Sequence, residues 1–224
     1  MKLKEVLLGT HSYEAIKAFY GSLLDLQVVE ESPSRLSFQV GESVLAFQES
    51  SHMENEFYHI AVTIPTNKFI EAKQWVIDRG ISLISRNQED EFFFENWNAT
   101  AFYFYDPDQN LVEFIAHHTL DNAVAEAFGS HSILRISEIG LPVDDVPEVS
   151  RIITETFQLD SWGGAGQEFA PLGDVEGSFI VIDKQRLWFP DDRLPAVFNT
   201  SVLFEAPCSG SLSLHNGLYE LRST

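Results

Sequence analysis

The sequence predicts an α+β protein built from two copies of one strand-and-helix module, the second abbreviated. Three observations predict it. Short apolar runs alternate with period two, as half-buried strands do. Two amphipathic helical stretches each follow a strand-like run. The order of segments then recurs: LRISEIGLPVDDVPEVSRIITETFQLD repeats the pattern of the opening, GSFIVID answers GESVLAF, AVFNTSVLFEAP answers FYHIAVTIP, and HNGLYELRS answers DQNLVEFIA.

Residues 3–8 are a short apolar strand, and SYEAIKAFYGSLLDL places Ser12 as an N-cap ahead of Ile16, Phe19, Tyr20 and Leu23 on one helical face. RLSFQV and SVLAFQE form a hairpin turning at Gly41. FYHIAVTIP opens a second cycle, whose helix spans 67–79 by the spacing of Phe69, Ala72, Trp75 and Val76 and stops at Gly80. Strands at FFFEN, AFYFYD and LVEFIA complete a first module over residues 1–118. TLDNAVAEAFGSHS, residues 119–132, reads as a linker with a short helix. The second module, 133–224, opens with a strand and a helix carrying Pro147 in its first turn and Ile152, Ile153 and Phe157 on its apolar face. Where the first copy has a helix and two strands, this one has only CSGSLSL. Its sheet face must therefore be covered by another element or lie at an interface.

Composition narrows the partners. The 224 residues carry 34 acidic against 14 basic side chains, a formal charge of -20, which repels nucleic acid and anionic membrane surfaces. A single cysteine, Cys208, excludes internal disulfides and cysteine-cluster zinc sites and fits a reducing compartment. MKLKEVLLG lacks the long apolar core and cleavage site of a secretion signal, and no run of eighteen apolar residues occurs. The expectation is a soluble cytoplasmic protein. GGAG lacks the lysine and setting of a phosphate loop, and no nucleophilic-serine elbow is present.

The charges inside the strands point to chemistry. In LVEFIA, Leu111, Glu113 and Ile115 share one face and Val112, Phe114 and Ala116 the other, core-facing one. In FYHIAVTI, Tyr58, Ile60, Val62 and Ile64 form the apolar set, which sends His59 to the opposite face with Ala61 and Thr63. Glu5 likewise points away from Val6 and Leu8. A buried carboxylate needs a partner, because its desolvation otherwise costs more than a hydrogen bond returns. Two readings follow: these groups converge on a divalent cation such as Fe(II), Mn(II), Ni(II) or Zn(II), or they sit at strand ends and meet water or an arginine.

AIKAFYGSLLDLQVV, FYHIAVTIP and above all YDPDQNLVEFIA resemble the vicinal oxygen chelate superfamily, the glyoxalase, bleomycin-resistance and extradiol-dioxygenase group. The resemblance implies paired βαβββ modules forming a curved mixed sheet around a pocket, with helices outside and dimerisation common. It implies metal ligands from the first strand, the strand opening the second cycle and the last strand, here Glu5, His59 and Glu113. Gln48 or Glu49 would stand at a fourth position, the charge favouring Glu49. In the second copy the corresponding residues are Glu138, Asn199 and Glu220, a set that asparagine weakens, so this half would close or shape the first pocket.

The function implied is that of a glyoxalase-like, metal-dependent isomerase or lyase acting on a small oxygen-bearing substrate, with Glu113 or Glu49 as base. An extradiol ring-cleaving dioxygenase is the alternative, though that chemistry usually takes two histidines and one carboxylate. A non-enzymatic small-molecule-binding protein is the third, since members of the family retain the fold without metal. Tyr103, Tyr105 and Trp97 are candidate pocket walls favouring an apolar or aromatic ligand, and Trp162 in SWGGAGQEF is a candidate cover. His117 and His118, after the last strand, read as a solvent-facing pair ahead of a place at the pocket rim, His52 as a lid or surface residue, His11 as a loop residue, and His131 and His215 as linker and turn residues.

Overall fold

The computed structural model of the chain describes residues 1–50 and 57–224. Strand β1 (Lys2–Thr10) leads into helix α1 (Tyr13–Ile16), which widens into a π-helical stretch over Lys17–Leu23. The Ser12 hydroxyl accepts from the Ala15 N–H at 3.3 Å, the expected cap. Strands β2 (Val28–Ser32), β3 (Arg35–Val40) and β4 (Ser43–Glu49) follow, then β5 (His59–Thr63), α2 (Phe69–Asp78), β6 (Phe92–Phe94), β7 (Ala99–Tyr105) and β8 (Leu111–His117). The second half contributes β9 (Arg135–Val143), α3 (Val146–Phe157), β10 (Phe169–Asp174), β11 (Gly177–Asp183), β12 (Thr200–Glu205), β13 (Gly210–Leu214) and β14 (Tyr219–Ser223).

These strands form two mixed sheets of seven, and neither sheet belongs to one module. One runs β13-β14-β12-β1-β4-β3-β2 and the other β10-β11-β9-β5-β8-β7-β6. The opening strand of each half thus pairs with the strand that opens the second cycle of the other, through β1 with β12 and β9 with β5, both antiparallel. One buried hydroxyl ties the two together: Ser43 Oγ donates to the Leu3 carbonyl at 2.6 Å and accepts from the Ile136 N–H at 3.1 Å. Gly41 makes a second close approach. Its φ is +58°, and a Cβ there would lie 1.9 Å from the Leu134 carbonyl oxygen, so only glycine lets the β3–β4 turn seat against the start of β9.

Alternation sorts the side chains as the sequence predicts. Tyr58, Ile60, Val62 and Ile64 join Val112, Phe114 and Ala116 in the large helix-covered core, whereas Ala61, Leu111 and Ile115 join Tyr103, Ile180, Ile182 and Trp188 in a second cluster on the opposite face. That second face carries the site. The abbreviated copy is covered by α3, whose Phe157 packs edge-on against Phe204 of β12 at 4.9 Å. Two local expectations are corrected. Residues 119–132 hold no α-helix, only a 3₁₀ turn at Ser130–Ser132, because Asn122, Val124 and Phe128 are drawn into hydrogen bonds with the loop and first turn of α2. CSGSLSL is not a bare connection, since its Gly210–Leu214 pairs with β14 as an edge strand. Among the described residues, no helix is long and apolar enough to cross a membrane.

Candidate metal centre

The DPDQN turn between β7 and β8 organises the region. Asp106 accepts from the backbone N–H groups of Asp108 and Asn110 at 3.0 and 2.9 Å, from Asn110 Nδ2 at 2.8 Å and from the Tyr20 hydroxyl at 2.8 Å. Asn110 in turn accepts the Tyr58 N–H at 2.8 Å, which pins the start of β5 beside β8. The register that follows pairs His59 with Leu111 and Ala61 with Glu113 on one side, and Ala61 with Glu138 of β9 on the other.

Glu138, Ala61 and Glu113 therefore form a row across three adjacent strands. Neighbouring strands stand about 4.8 Å apart, so the two glutamates rise from backbones roughly 10 Å apart and can meet only by leaning over the residue between them. Alanine leaves that space. His59, two residues back on the same face, closes the group: one ligand-capable atom from each of His59, Glu113 and Glu138 lies within 4.8 Å of the others. His59 Nε2 and Glu113 Oε2 are 3.1 Å apart. All three side chains are buried.

Burial sets the electrostatics. Desolvation pushes Glu113 up to about 8, against a stabilising hydrogen bond from the Tyr103 hydroxyl. Glu138 is pushed up to about 8 by the same cause, with the Glu113 charge adding to it. His59 is driven down by desolvation. Among the described residues, the buried Glu138 Oε1 and His59 Nδ1 atoms have no hydrogen-bond partner. An apolar floor holding two carboxylates, an imidazole and orphaned polar atoms fits a divalent cation, which would supply the missing charge and accept the unused lone pairs. A buried His/Glu/Glu site able to chelate a divalent metal is thus present.

The remaining wall is aromatic. The His59 ring stacks on Trp188 at 4.8 Å and 28°. A Cβ on Gly140 would come within 2.8 Å of that indole, so glycine on β9 is what admits it. The cluster opens into a cavity of about 600 Å³ walled by Phe93, Phe94, Trp97, Tyr103, Phe169 and Phe189, with Gly163 and Gly164 at its edge. Trp162 stacks on Trp97 at 5.5 Å and 20°, so the SWGG loop does border the cavity.

The structure brings His59 and Glu113 together but not Glu5. Strand β1 lies between β12 and β4 in the other sheet, where Glu5 is one-third exposed and ion-paired to Arg35 at 2.6 Å. It is the reading of a strand carboxylate that meets an arginine which holds for Glu5. Glu49 is exposed at the end of β4 in that same sheet, with half-buried Gln48 beside it, and neither reaches the cluster. Asn199 is exposed ahead of β12, its carbonyl accepting the Tyr58 hydroxyl at 3.0 Å, and Glu220 is exposed and bonded by Ser213 at 2.6 Å. Glu138, assigned by sequence to the other copy's weakened set, occupies the third place.

A signal for this exists in the sequence. Glu138 is the one acidic residue in RISEIGLPV and is as isolated among apolar residues as Glu113, whereas Glu5 follows two lysines in KLKE. His117 is a further correction: it is fully buried in β8 with its ring 5.5 Å from Trp162, and burial lowers it to about 4. His118 is exposed, between Thr66 and Thr100. Tyr105 turns instead to Asp191 at 3.0 Å. His52 lies outside the described residues.

Residues 2–114 match the family model described as the Glyoxalase/Bleomycin resistance protein/Dioxygenase superfamily. A putative dioxygenase from Bacillus subtilis is similar in fold over 100% of this chain and 85% of its own, at 12% identity and a TM-score of 0.65. Smaller proteins align with about half of the chain. A glyoxalase/bleomycin resistance protein/dioxygenase from Nocardioides covers 58% of it, and 90% of its own length, at 19% identity and a TM-score of 0.43. A fosfomycin resistance protein from Listeria monocytogenes, in complex with Mn(II) and a dihydroxypropylphosphonic acid, covers 53%, and 91% of its own length, at 20% identity and a TM-score of 0.42. No curated protein sequence matches the chain.

Proposed function

Because the chain belongs to the glyoxalase/bleomycin resistance protein/dioxygenase superfamily, we propose that it is a metal-dependent enzyme of glyoxalase type, an isomerase or lyase acting on a small oxygen-bearing substrate. The observation that carries this reading is the buried convergence of His59, Glu113 and Glu138 at the floor of an open, aromatic-walled cavity. His59, Glu113 and Glu138 would hold the cation. A divalent metal there would act as a Lewis acid toward a substrate oxygen, stabilising negative charge that develops on it.

The chain's own groups supply the rest. Glu113 is the base: beside the cation its carboxylate would be ionised, and from the cavity floor it would take a proton from carbon and return it to a neighbouring atom within its short reach. The Tyr103 hydroxyl, donating to Glu113, holds the carboxylate's orientation. Trp188 and the phenylalanine walls exclude water from the floor and orient an apolar substrate body. The aromatic lining also favours a second reading, a ring-cleaving dioxygenase for an aromatic substrate. One histidine with two carboxylates makes the first reading the stronger.

Elemental analysis of the protein purified without added metal tests the proposal. Near-stoichiometric metal is expected in the wild type and in Glu5→Ala, and its loss in Glu113→Ala and Glu138→Ala. A wild type that holds no metal even after incubation with Fe(II), Mn(II), Ni(II) and Zn(II) would instead identify a metal-free small-molecule-binding protein.

A further inference from the structure

Arg186 stands alone at the cavity. It is the one lysine or arginine among the described residues lining it. The molecule has a large excess of carboxylates, and among the described residues every other basic side chain is ion-paired to one of them except Arg79 and Arg222. Arg79 is committed elsewhere, donating to the carbonyls of Leu23 and Trp75 and lying over the Trp75 ring. Arg222 lies on β14 in the other sheet. Among the described residues Arg186 has no carboxylate partner, and its guanidinium lies 4.4 Å from the centre of the Phe169 ring on the cavity wall. Arg186 is exposed and its charge is hydrated, as that of Arg222 is; what sets Arg186 apart is that its guanidinium lies on the wall of the cavity, where it can meet a ligand.

We infer that Arg186 is a specificity residue that selects an organic anion: a small molecule with an apolar or aromatic body against Phe94, Phe169 and Phe189 and a carboxylate or similar group at the mouth. The inference rests on the proposed use of the same cavity for substrate. It follows from charge placement. With a dication at the floor the two glutamates are neutralised, so the substrate's net charge is read at the rim. Two charged side chains stand there, Arg186 and the exposed Glu95, and they are not ion-paired to each other. The guanidinium is the group that can bind a carboxylate bidentately, and its ring platform orients its fork. The exposed apolar side chains Phe93, Leu187 and Phe189 around the same mouth suit the apolar body of such a ligand.

The test uses 4-phenylbutanoate and its uncharged amide, with affinities measured calorimetrically on the wild type, Arg186→Gln and Arg186→Lys, and metal content determined on the same samples. Arg186 is exposed, so neither substitution disturbs the core. The wild type is expected to bind the carboxylate about tenfold more tightly than the amide, the size of one charge-assisted hydrogen-bonded contact. Arg186→Gln should reduce the ratio to about one, and Arg186→Lys should retain part of it. Equal affinities in the wild type, or a preference that survives in Arg186→Gln, overturn the inference. The two proposals fail separately: anion preference lost with Arg186 in metal-free protein supports this one while sinking the metal site, and bound metal with no anion preference does the reverse.

Discussion

At the scale of single residues, Glu113 and Glu138 are destabilising by themselves, and that gives the fold a pH signature. Both are held near 8 against an ordinary value of 4.5, so the folded chain binds more protons than the unfolded chain between those values. Their cost is absent below about 4.5, where both states are protonated, and it grows, lowering stability, as pH rises to about 8. His59 and His117 are lowered from 6.5 and have the opposite sign, destabilising as pH falls below that value. The interval from pH 6.5 to 8 therefore isolates the carboxylates. Chelator-treated protein should lose melting temperature across it, Glu113→Gln should flatten the slope, and bound metal should offset it by displacing the protons. A flat profile in chelator-treated wild type would contradict a buried carboxylate pair. The same physics explains which site residues were legible. A carboxylate and an imidazole alone in apolar strands advertise themselves, and alternation then assigns Glu113 and His59 to the correct face without any tertiary knowledge.

At the scale of elements, β5 is the hinge of the site, because it is the strand that β8 and β9 both border. Its Ala61 is fully buried between Glu113 and Glu138 in the register, and the smallness of that side chain is what lets the two carboxylates approach. Ala61→Leu should force them apart. Overpacking of this kind costs about 1–3 kcal/mol, so the variant is expected to stay folded by circular dichroism while metal content falls severalfold. Retention of full metal stoichiometry would show that the row across β9, β5 and β8 does not shape the centre. Element boundaries were largely readable, since the Ser12 cap, the Gly41 turn and the Gly80 stop are local chemistry. Strand β10 was not, because FAPLGD contains proline and glycine and becomes a strand only by pairing with β11.

At the scale of the molecule, interleaving makes each half depend on the other. Every sheet contains strands from both sides of residues 119–132, and the metal-binding group takes two residues from before that segment and one from after it. A protease site inserted between Glu126 and Ala127, where the segment is exposed, should therefore give a nicked protein whose pieces stay together. Under native conditions the nicked protein should elute at the position of the intact 25.3 kDa chain, or of whatever assembly that chain forms, and should retain its metal. Dissociation into two stable fragments, with metal kept by the 1–126 piece, would require a site complete within the first half.

The sequence by itself determined the module, its repetition, the abbreviation of the second copy, the face on which each strand charge lies, and the resemblance that made metal chemistry worth seeking. All of these rest on local periodicity or on motifs a few residues long. Only the tertiary structure decided which first strand lies beside β5. In the linear repeat Glu5 is the natural companion of His59 and Glu113, and Glu138 belongs to the other copy. In the folded chain β1 pairs with β12 and β9 with β5, so Glu5 goes to Arg35 and Glu138 completes the cluster. Two copies of one pattern carry the same alternation, and alternation specifies the face of a strand without specifying its neighbour. The choice between pairing within a module and pairing across modules is made by long-range contacts, such as Ser43 bridging Leu3 and Ile136 and Gly41 seating on Leu134, that leave no periodic trace.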